Sequence, residues 1–259
     1  MSSSNDSIKK TIIVAISLCI VCSVIVSTAA VMLRPAQIAN KSMDFKRNIL
    51  AAAGLLEPGV SVEEQFKKVD TRVIDLETGL FATQIDPESY DQRKASKDPA
   101  LSSPLSAEDD IAKIQRREKY AEVYFVRDAN GQLNKVILPV KGYGLWSTLY
   151  GFLALEQDLG TIAGLGFYEH AETPGLGGEI DNPNWKAQWH GKEIYNDSGE
   201  VAFSVIKGSV DANTPNAKYK VDGLSGATLT SRGVENMMSF WFGPQGYKPF
   251  LDKLKNGEV

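Results

Sequence analysis

Hydroxyl side chains crowd one stretch of the chain, "VDGLSGATLTS" at Val221–Ser231. Thr228 lies immediately before or at the first turn of a helix that the sequence predicts through Phe240. A hydroxyl at such a place can cap the free N–H groups of the helix. It can equally carry a phosphoester, because the same N–H groups and the helix dipole stabilise a phosphate. Both roles stay open, and the chemistry of these residues alone favours capping.

The residues before Thr228 form the setting for either role. Gly226 and Ala227 leave room for an attached group, which a bulkier pair would obstruct. Ser225 is a neighbouring hydroxyl, and Asp222 is placed to orient a hydroxyl or to bind a cation during attachment. These residues therefore join the threonine in the candidate site.

Two more glycine-rich segments adjoin predicted strands, "KGYGLWS" at Lys141–Ser147 and "YEHAETPGLGGEID" at Tyr168–Asp181. Glycine permits a close approach of the backbone to a ligand, and Trp146 and Leu176 offer apolar contact. Together the segments predict a pocket for a flat heteroaromatic ring with polar edges. Simpler alternatives remain for each piece, since "PGLGG" is also a tight-turn sequence and Trp146 is also a candidate core aromatic.

Several titratable side chains are weaker candidates. His170 has no evident carboxylate or cysteine partner and is therefore interpreted as a structural group. Glu172 is a candidate base, although an exposed loop glutamate usually has no such role. Lys207 either neutralises a phosphate or simply ends a strand, and no role is assigned to His190.

Composition excludes several classes of function. The chain has 259 residues and a formal net charge of −4, which is unlike a nucleic-acid binder with a strong basic face. It has no GxxxxGK[ST] phosphate loop and no GxGxxG fingerprint after a strand, so nothing indicates nucleoside triphosphate or dinucleotide binding. It also has no nucleophile elbow, which makes a hydrolase a weak hypothesis, and no metal site is predicted.

An uncharged apolar run over Thr11–Leu33 predicts a membrane anchor that ends at Arg34 and Pro35. As a helix the run is about 34 Å long, enough to cross the hydrocarbon core, and it is long for the alternative of a cleaved signal peptide. Cys19 and Cys22 form a C-x-x-C inside it. We interpret them as small apolar residues, with a cluster shared with other subunits as the alternative.

The predicted fold class is α+β, with one transmembrane helix followed by a mixed, largely antiparallel sheet and helices. The predicted domains are a tail and anchor at 1–35, a helical and irregular segment at 36–118, and an α+β domain at 119–259. Predicted helices cover the helical spacing of 38–56, a capping-box segment from Ser61 through Phe66, a segment capped by Ser106 through Arg117, "NPNWKAQWHG", a long helix from about Thr230, and "YKPFLDKLK". Predicted strands are "TRVIDLETG", the hairpin "AEVYFVRD" and "QLNKVILPVKG", "LYGFLALE", "TIAGLGFYEH", "EVAFSVIKG" and "AKYKVDG", with an irregular connection over 86–110.

The motif "DGLSGAT", Asp222 to Thr228, is similar to the D-x-x-[S/T]-G-A-T signature of flavinylated FMN-binding domains. In that family a flavin transferase links FMN through its phosphate to the last threonine of the motif, which is Thr228 here. Thr230 and Ser231 are neighbouring hydroxyls that a less selective transferase would reach. The resemblance implies covalent FMN, with Lys207 as a weak phosphate contact. The ring and ribityl contacts that it implies are Trp146, Glu172, Thr173, Gly175, Leu176 and Gly177.

Nearly the whole chain resembles the NqrC subunits of bacterial Na+-translocating NADH:quinone oxidoreductases, through the anchor, "GYGLW", "HAETPGLG" and the threonine motif. The resemblance implies an electron-transfer subunit of an inner-membrane complex. Its partners would be the other subunits and a flavin transferase, and it would not itself bind NADH or quinone. The charges around the anchor leave orientation open, and we favour a periplasmic domain. The alternatives are the RnfG subunit of the related Rnf electron-transport complex and a membrane-anchored binding or sensing module without redox function.

Overall fold

The computed structural model describes residues 7–259 and begins with a 45-residue helix, α1, at Ile8–Ala52. Within that range α1 is the one helix long and apolar enough to cross a membrane by its length and composition. Pro35 lies inside it, so the predicted stop at Arg34 and Pro35, with a separate helix after it, is wrong. Proline removes one backbone hydrogen bond, but Ala36 and Gln37 after it are good helix formers, and the helix continues.

The chain forms two units, one up to Phe45 and one at Lys46–Val259. The boundaries at 35/36 and 118/119 stay predictions. Inside the second unit, the last turns of α1 are buried against β7 (Ile162–Glu169). Any side chain at Gly164 of this strand would collide with the carbonyl oxygen of Ala52. This glycine therefore permits the helix end to lie directly on the sheet.

Five antiparallel strands form the main sheet, in the spatial order β1-β4-β5-β6-β7. Each combines partly exposed positions, mainly towards its ends, with a run of two to five buried residues. The strands not yet given are β1 (Val69–Asp75), β4 (Tyr120–Arg127), β5 (Leu133–Tyr143) and β6 (Thr148–Glu156).

Two small ladders accompany the main sheet. β2 (Ser102–Pro104) pairs antiparallel with β3 (Arg116–Glu118), whereas β8 (Ser204–Ile206) pairs parallel with β9 (Lys220–Asp222). The parallel pair brings the ends of β8 and β9 to one edge, and the motif loop leaves from this edge. Both strands are shorter than the sequence patterns predict.

The helix predicted from Ser106 through Arg117 does not form. The Ser106 hydroxyl does accept the N–H of Asp109, at 3.1 Å, but it caps only a turn. Lys113 and Gln115 follow with φ of 52° and 64°. This left-handed backbone cannot continue a right-handed helix, and β3 begins next.

The remaining helices are short, apart from the one that follows the motif. The capping-box prediction at Ser61 is confirmed, since its hydroxyl accepts the N–H of Glu64 at 3.2 Å. The helix after the motif, α5, packs its buried face on β5, and the Trp241 indole N–H donates to the carbonyl of Lys141 at 2.7 Å. Helices after α1 are α2 (Val62–Phe66), α3 (Gln92–Ala95), α4 (Pro183–Ala187), α5 (Thr228–Trp241) and α6 (Lys248–Lys255).

Candidate functional site

The first turn of α5 has no side-chain cap. Thr228 is the first helical residue, and the N-cap position is Ala227, which has no side chain that can accept a hydrogen bond. The interpretation of Thr228 as the capping residue is therefore wrong, because its hydroxyl lies one position too late. No acidic residue occupies the first turn. The backbone N–H groups and the positive end of the helix dipole thus remain available to an anion beside an exposed Thr228.

The hydroxyls of the motif region differ sharply in burial. Thr230 is fully buried and its hydroxyl donates to Oε2 of Glu172 at 2.6 Å. Ser231 is 5% exposed, and its Oγ accepts the N–H of Leu224 at 3.0 Å. Thr228 and Ser225 are exposed. The two hydroxyls that follow Thr228 are therefore structural, and an external reagent meets Thr228 or Ser225 first.

The loop before α5 is shaped by its glycines. Gly226 has φ of +70°, and a Cβ at this position would lie 3.0 Å from Cδ2 of Leu176. Gly223 approaches β8 so closely that a side chain would collide with the carbonyl of Ile206, and its added Cβ would lie 3.7 Å from Cα of Lys207. The loop thus brings the segments around Leu176 and Lys207 beside the motif.

Asp222 forms the hydrogen bonds that connect the start of this loop to neighbouring segments. Its Oδ1 accepts the N–H of Val210 at 2.7 Å, and its Oδ2 accepts Nε2 of Gln188 at 3.0 Å. Its backbone N–H donates to Oε1 of Gln188, and its carbonyl accepts the indole N–H of Trp185 at 2.8 Å. Both carboxylate oxygens are thus engaged by neutral donors, one from the segment after β8 and one from the C-terminal end of α4. A direct role of Asp222 in attachment stays a prediction.

Glu172 belongs to the Tyr168–Asp181 segment, contacts the other two glycine-rich segments and is only 5% exposed, so its interpretation as an exposed loop glutamate is wrong. Oε1 accepts the N–H groups of Leu145 at 3.0 Å and Trp146 at 2.9 Å, with Ser147 at 3.4 Å. Burial raises the pKa of this carboxyl, but the hydrogen bonds from Thr230 and the three backbone N–H groups outweigh it and hold the pKa below its ordinary value. Glu172 is therefore an ionised acceptor and not a free base.

Large apolar side chains lie open to solvent around the motif. Trp146 is 65% exposed, Leu176 is 44% exposed and Leu229, next to Thr228, is 55% exposed. The alternative of Trp146 as a core aromatic is therefore wrong. An exposed tryptophan and leucines beside an uncapped helix end supply both surfaces that an aromatic phosphate ester needs, an apolar wall and an anion-binding end.

The segment that presents Leu176 is the tight turn that its glycines predict. Gly178 and Leu176 both donate to the carbonyl of Thr173, at 2.9 and 3.1 Å, and Gly175 has φ of +76°. At Gly177 an added Cβ would lie 2.5 Å from Oγ1 of Thr230. The prediction that "PGLGG" forms a tight turn is therefore confirmed, and the turn also brings Leu176 to the motif.

His170 has a carboxylate partner that the sequence did not reveal. Its Nε2 lies 2.8 Å from Oδ2 of Asp181, and its Nδ1 accepts the N–H of Glu172 at 3.2 Å. Because Nδ1 accepts, we assign the ring proton to Nε2, which donates to Asp181. At the start of the same segment, Glu169 forms two hydrogen bonds with Arg93, at 2.6 and 2.7 Å. Both contacts fix the segment that carries Glu172.

Sequence reasoning missed Gln188, Arg93 and Asp181 as supports of the site. Gln188 and Arg93 lie outside the quoted motifs, Asp181 is the last residue of the Tyr168–Asp181 segment, and each acts through a partner at least 11 positions away in the chain. A polar residue on the face of a predicted short helix was the only signal for Gln188.

Comparison with known proteins gives consistent results. A family model described as the FMN-binding domain matches residues 144–242. The chain is 54% identical over 258 residues to the NqrC subunit of the Na(+)-translocating NADH-quinone reductase of Pseudomonas aeruginosa, covering 98% of both chains. It is 48% identical to the corresponding subunit of Yersinia pestis, covering 98% of this chain and 96% of the relative.

Solved structures agree with the sequence comparison. The crystal structure of Shewanella oneidensis NqrC matches with a TM-score of 0.78 and 39% identity, covering 84% of this chain and 99% of that one. The crystal structure of the same subunit from Parabacteroides distasonis matches with a TM-score of 0.65 and 29% identity, covering 85% of this chain and 96% of that one. The region matched by the family model includes the motif, α5 and its neighbouring loops.

Proposed function

The chain belongs to the NqrC family of Na+-translocating NADH-quinone reductase subunits, and we propose that it holds FMN as a phosphoester on Thr228 and relays electrons between neighbouring redox centres. It is a subunit of an oxidoreductase complex and has an FMN-binding domain. The covalent bond, its position and the relay are the proposal. Its support is the accessibility of a single threonine at the uncapped start of α5.

The choice among hydroxyls rests on burial and hydrogen bonding. Attachment forms a bond between phosphorus and the threonine Oγ, releases the hydroxyl proton and breaks the bond from phosphorus to a leaving group. A flavin donor activated as a pyrophosphate, presented by a flavin transferase, supplies that leaving group. Thr230 and Ser231 already use their oxygens inside the fold. Thr228 is exposed, and the N–H groups of its own helix turn face the negative charge of the ester.

Bound FMN supplies electron transfer, while this chain's residues hold and surround it. Trp146, Leu176 and Leu229 provide exposed apolar surface for the ring. We assign Thr173, Gly175 and Gly177 to contacts with the ring and ribityl chain, and the motif residues to the surroundings of the attached phosphate. Lys207 is exposed beside the start of the motif loop, and within residues 7–259 its ammonium group has no ion-pair partner, so it is available to the ester.

The test is the intact mass of the purified full chain, made together with its flavin transferase. We expect a mass increase of one FMN residue and flavin fluorescence in the denatured gel band. Thr228→Ala removes both while the chain still folds, since the side chain is exposed and provides no capping hydrogen bond. Ser198→Ala, which removes an exposed hydroxyl outside the candidate site, is the matched control and keeps both. Flavin retained by Thr228→Ala, or absent from the unaltered chain, contradicts the proposal.

The location and assembly of the chain follow the same proposal. We place the second unit on the periplasmic side of a bacterial inner membrane, in contact with the other subunits, and residues 11–33 in the bilayer. Cys19 and Cys22 are the only cysteines, so replacing both by Ala and introducing Lys255→Cys gives a single reporter thiol. A membrane-impermeant maleimide should label it in cells whose outer membrane alone is permeabilised. Labelling only after the inner membrane is opened as well reverses the orientation.

A further inference from the structure

A single buried carboxylate connects the apolar loop to the helix that carries the proposed attachment point. One oxygen of Glu172 accepts the N–H groups of Leu145 and Trp146, at 3.0 and 2.9 Å. The other accepts the hydroxyl of Thr230 at 2.6 Å. Thr230 is two residues after Thr228 in the first turn of α5. The carboxylate therefore joins the loop that presents the exposed tryptophan to the turn that presents the exposed threonine.

The surroundings of Glu172 are built to hold an anion without a cation. Its donors are three backbone N–H groups and one hydroxyl, and within the described chain no Lys, Arg or His side chain forms an ion pair with it. Hydrogen bonds to an ionised acceptor are about twice as strong as neutral ones. Because the carboxylate is 5% exposed, water competes little for these donors. Loss of the Thr230 hydroxyl removes the donor to Oε2 and leaves a buried acceptor unsatisfied.

Two glycines give the carboxylate its space. A Cβ at Gly144 would lie 2.6 Å from Oε1 of Glu172, and a Cβ at Gly177 would lie 2.6 Å from Oε2. Both distances are shorter than any ordinary contact, so neither position admits a side chain while Glu172 stays in place. The two segments that contain Gly144 and Gly177 therefore pack directly against the carboxylate of Glu172.

We infer that Glu172 is a positioning residue, which holds the Leu145–Trp146 loop at a fixed place relative to Thr228 and so orders the ring of an attached flavin. The inference rests on the proposed function, because it assumes FMN on Thr228. It differs from the expectation that Glu172 contacts the flavin directly, because it needs only the hydrogen bonds that the two oxygens already accept. Attachment of FMN depends on the exposed hydroxyl of Thr228. The fixed orientation of its ring depends on the position of the Leu145–Trp146 loop.

The test uses the full chain made with its flavin transferase, and separates attachment from order. Intact mass reports attachment, and the visible circular dichroism and fluorescence anisotropy of the flavin report the order of its ring. Glu172→Ala removes both arms of the connection, and Thr230→Val removes only the arm to α5. In both we expect the mass of FMN to be retained, with loss of most of the visible circular dichroism and a fall in anisotropy towards that of a freely rotating chromophore.

Two conservative variants distinguish positioning from general destabilisation. Glu172→Gln keeps an oxygen for the loop N–H groups and gains an amide that can donate to Oγ1 of Thr230, so it should retain most of the signal. Glu179→Gln alters another carboxylate of the same segment, whose hydrogen-bond partner is Asn182, and should match the unaltered chain. Far-ultraviolet circular dichroism checks folding in each case, and if Glu172→Ala fails to fold, Thr230→Val decides.

The failure of this inference and that of the proposed function give different results. An unaltered chain without the FMN mass overturns the proposed function. A flavin that is present and keeps unchanged circular dichroism and anisotropy in both Glu172→Ala and Thr230→Val overturns the positioning role alone. Loss of the FMN mass in these two folded variants also overturns it, because Glu172 would then act in attachment.

Discussion

Helix α5 lies so close to the end of β5 that Gly233→Ala should destabilise the protein, although alanine ordinarily stabilises a helix. Gly233 lies in the second turn of α5 and is buried. An added Cβ would collide with the carbonyl oxygen of Tyr143 and would lie 3.0 Å from Cα of Gly144. These neighbours are backbone atoms of the strand end and of the loop that leads to Trp146, so neither can rotate away. Gly233→Ala must therefore displace the helix or the loop.

Two opposing effects set the magnitude. Alanine is favoured over glycine inside a helix by about 1 kcal/mol, and helix propensity alone therefore predicts a more stable protein. Extra volume in a packed interior costs about 1–3 kcal/mol, and contacts with rigid backbone place Gly233→Ala at the upper end of that range. The expected net loss is roughly 2 kcal/mol, or a fall in Tm of about 4–8 °C for a unit of this size.

The assay is thermal and denaturant unfolding of the full chain in detergent, with Gly160→Ala as the matched control. Gly160 has no left-handed φ, and its added Cβ would lie 4.0 Å from the Tyr195 ring, so the change should stay within about 0.5 kcal/mol. The visible circular dichroism of the attached flavin should also fall in Gly233→Ala, since the loop to Trp146 moves. A Gly233→Ala protein as stable as the unaltered chain, or more stable, refutes the packing argument.

Two further predictions concern the carboxyl groups of Glu118 on β3 and Glu122 on β4. Glu118 is fully buried and accepts Nζ of Lys141 at 2.6 Å, so Lys141→Met should cost about 3–5 kcal/mol by leaving the carboxylate unpaired. Adding Glu118→Leu should recover most of this loss in denaturant unfolding. Burial raises the pKa of Glu122 to about 7 from 4.5, although the Tyr124 hydroxyl opposes the shift. The folded protein thus binds the proton of Glu122 more tightly than the unfolded chain does. The free energy of unfolding should therefore decrease as pH rises from 4.5 through 7. Glu122→Gln should remove this dependence, and an unchanged pH profile contradicts it.

The strands of the main sheet and its first hairpin were accessible from the sequence because their signals are local. Strands β4 to β7 follow one another along the chain, and the turn "ANG" joins the first two. Alternation with a turn specifies such a pairing without distant information. The threonine motif was accessible for the same reason, since its residues are contiguous and lead directly into α5.

The prediction failed where a local signal competes with a wider context. Pro35 is a common helix terminator, yet good helix formers on both sides continue α1 through it. Ser106 has capping chemistry, but left-handed backbone at Lys113 ends any helical path. The contact of His170 with Asp181, 11 residues apart, and that of Glu172 with Thr230, 58 residues apart, depend on how the segments fold together. No periodicity in the chain reports such pairs.

The hydroxyls of "GATLTS" have two different roles, which the motif alone does not distinguish. Thr230 and Ser231 point their oxygens into the protein and bond to Glu172 and to the backbone of the motif loop, so they shape the start of α5. Thr228 contributes no capping bond and lies exposed on that shaped turn. Variants at the two threonines should consequently have opposite effects. Loss of the exposed hydroxyl abolishes flavin attachment and leaves the fold intact, whereas loss of the buried one preserves attachment and loosens the flavin. A chain in which both changes abolish attachment would mean that the transferase reads the folded turn itself, and not one accessible oxygen.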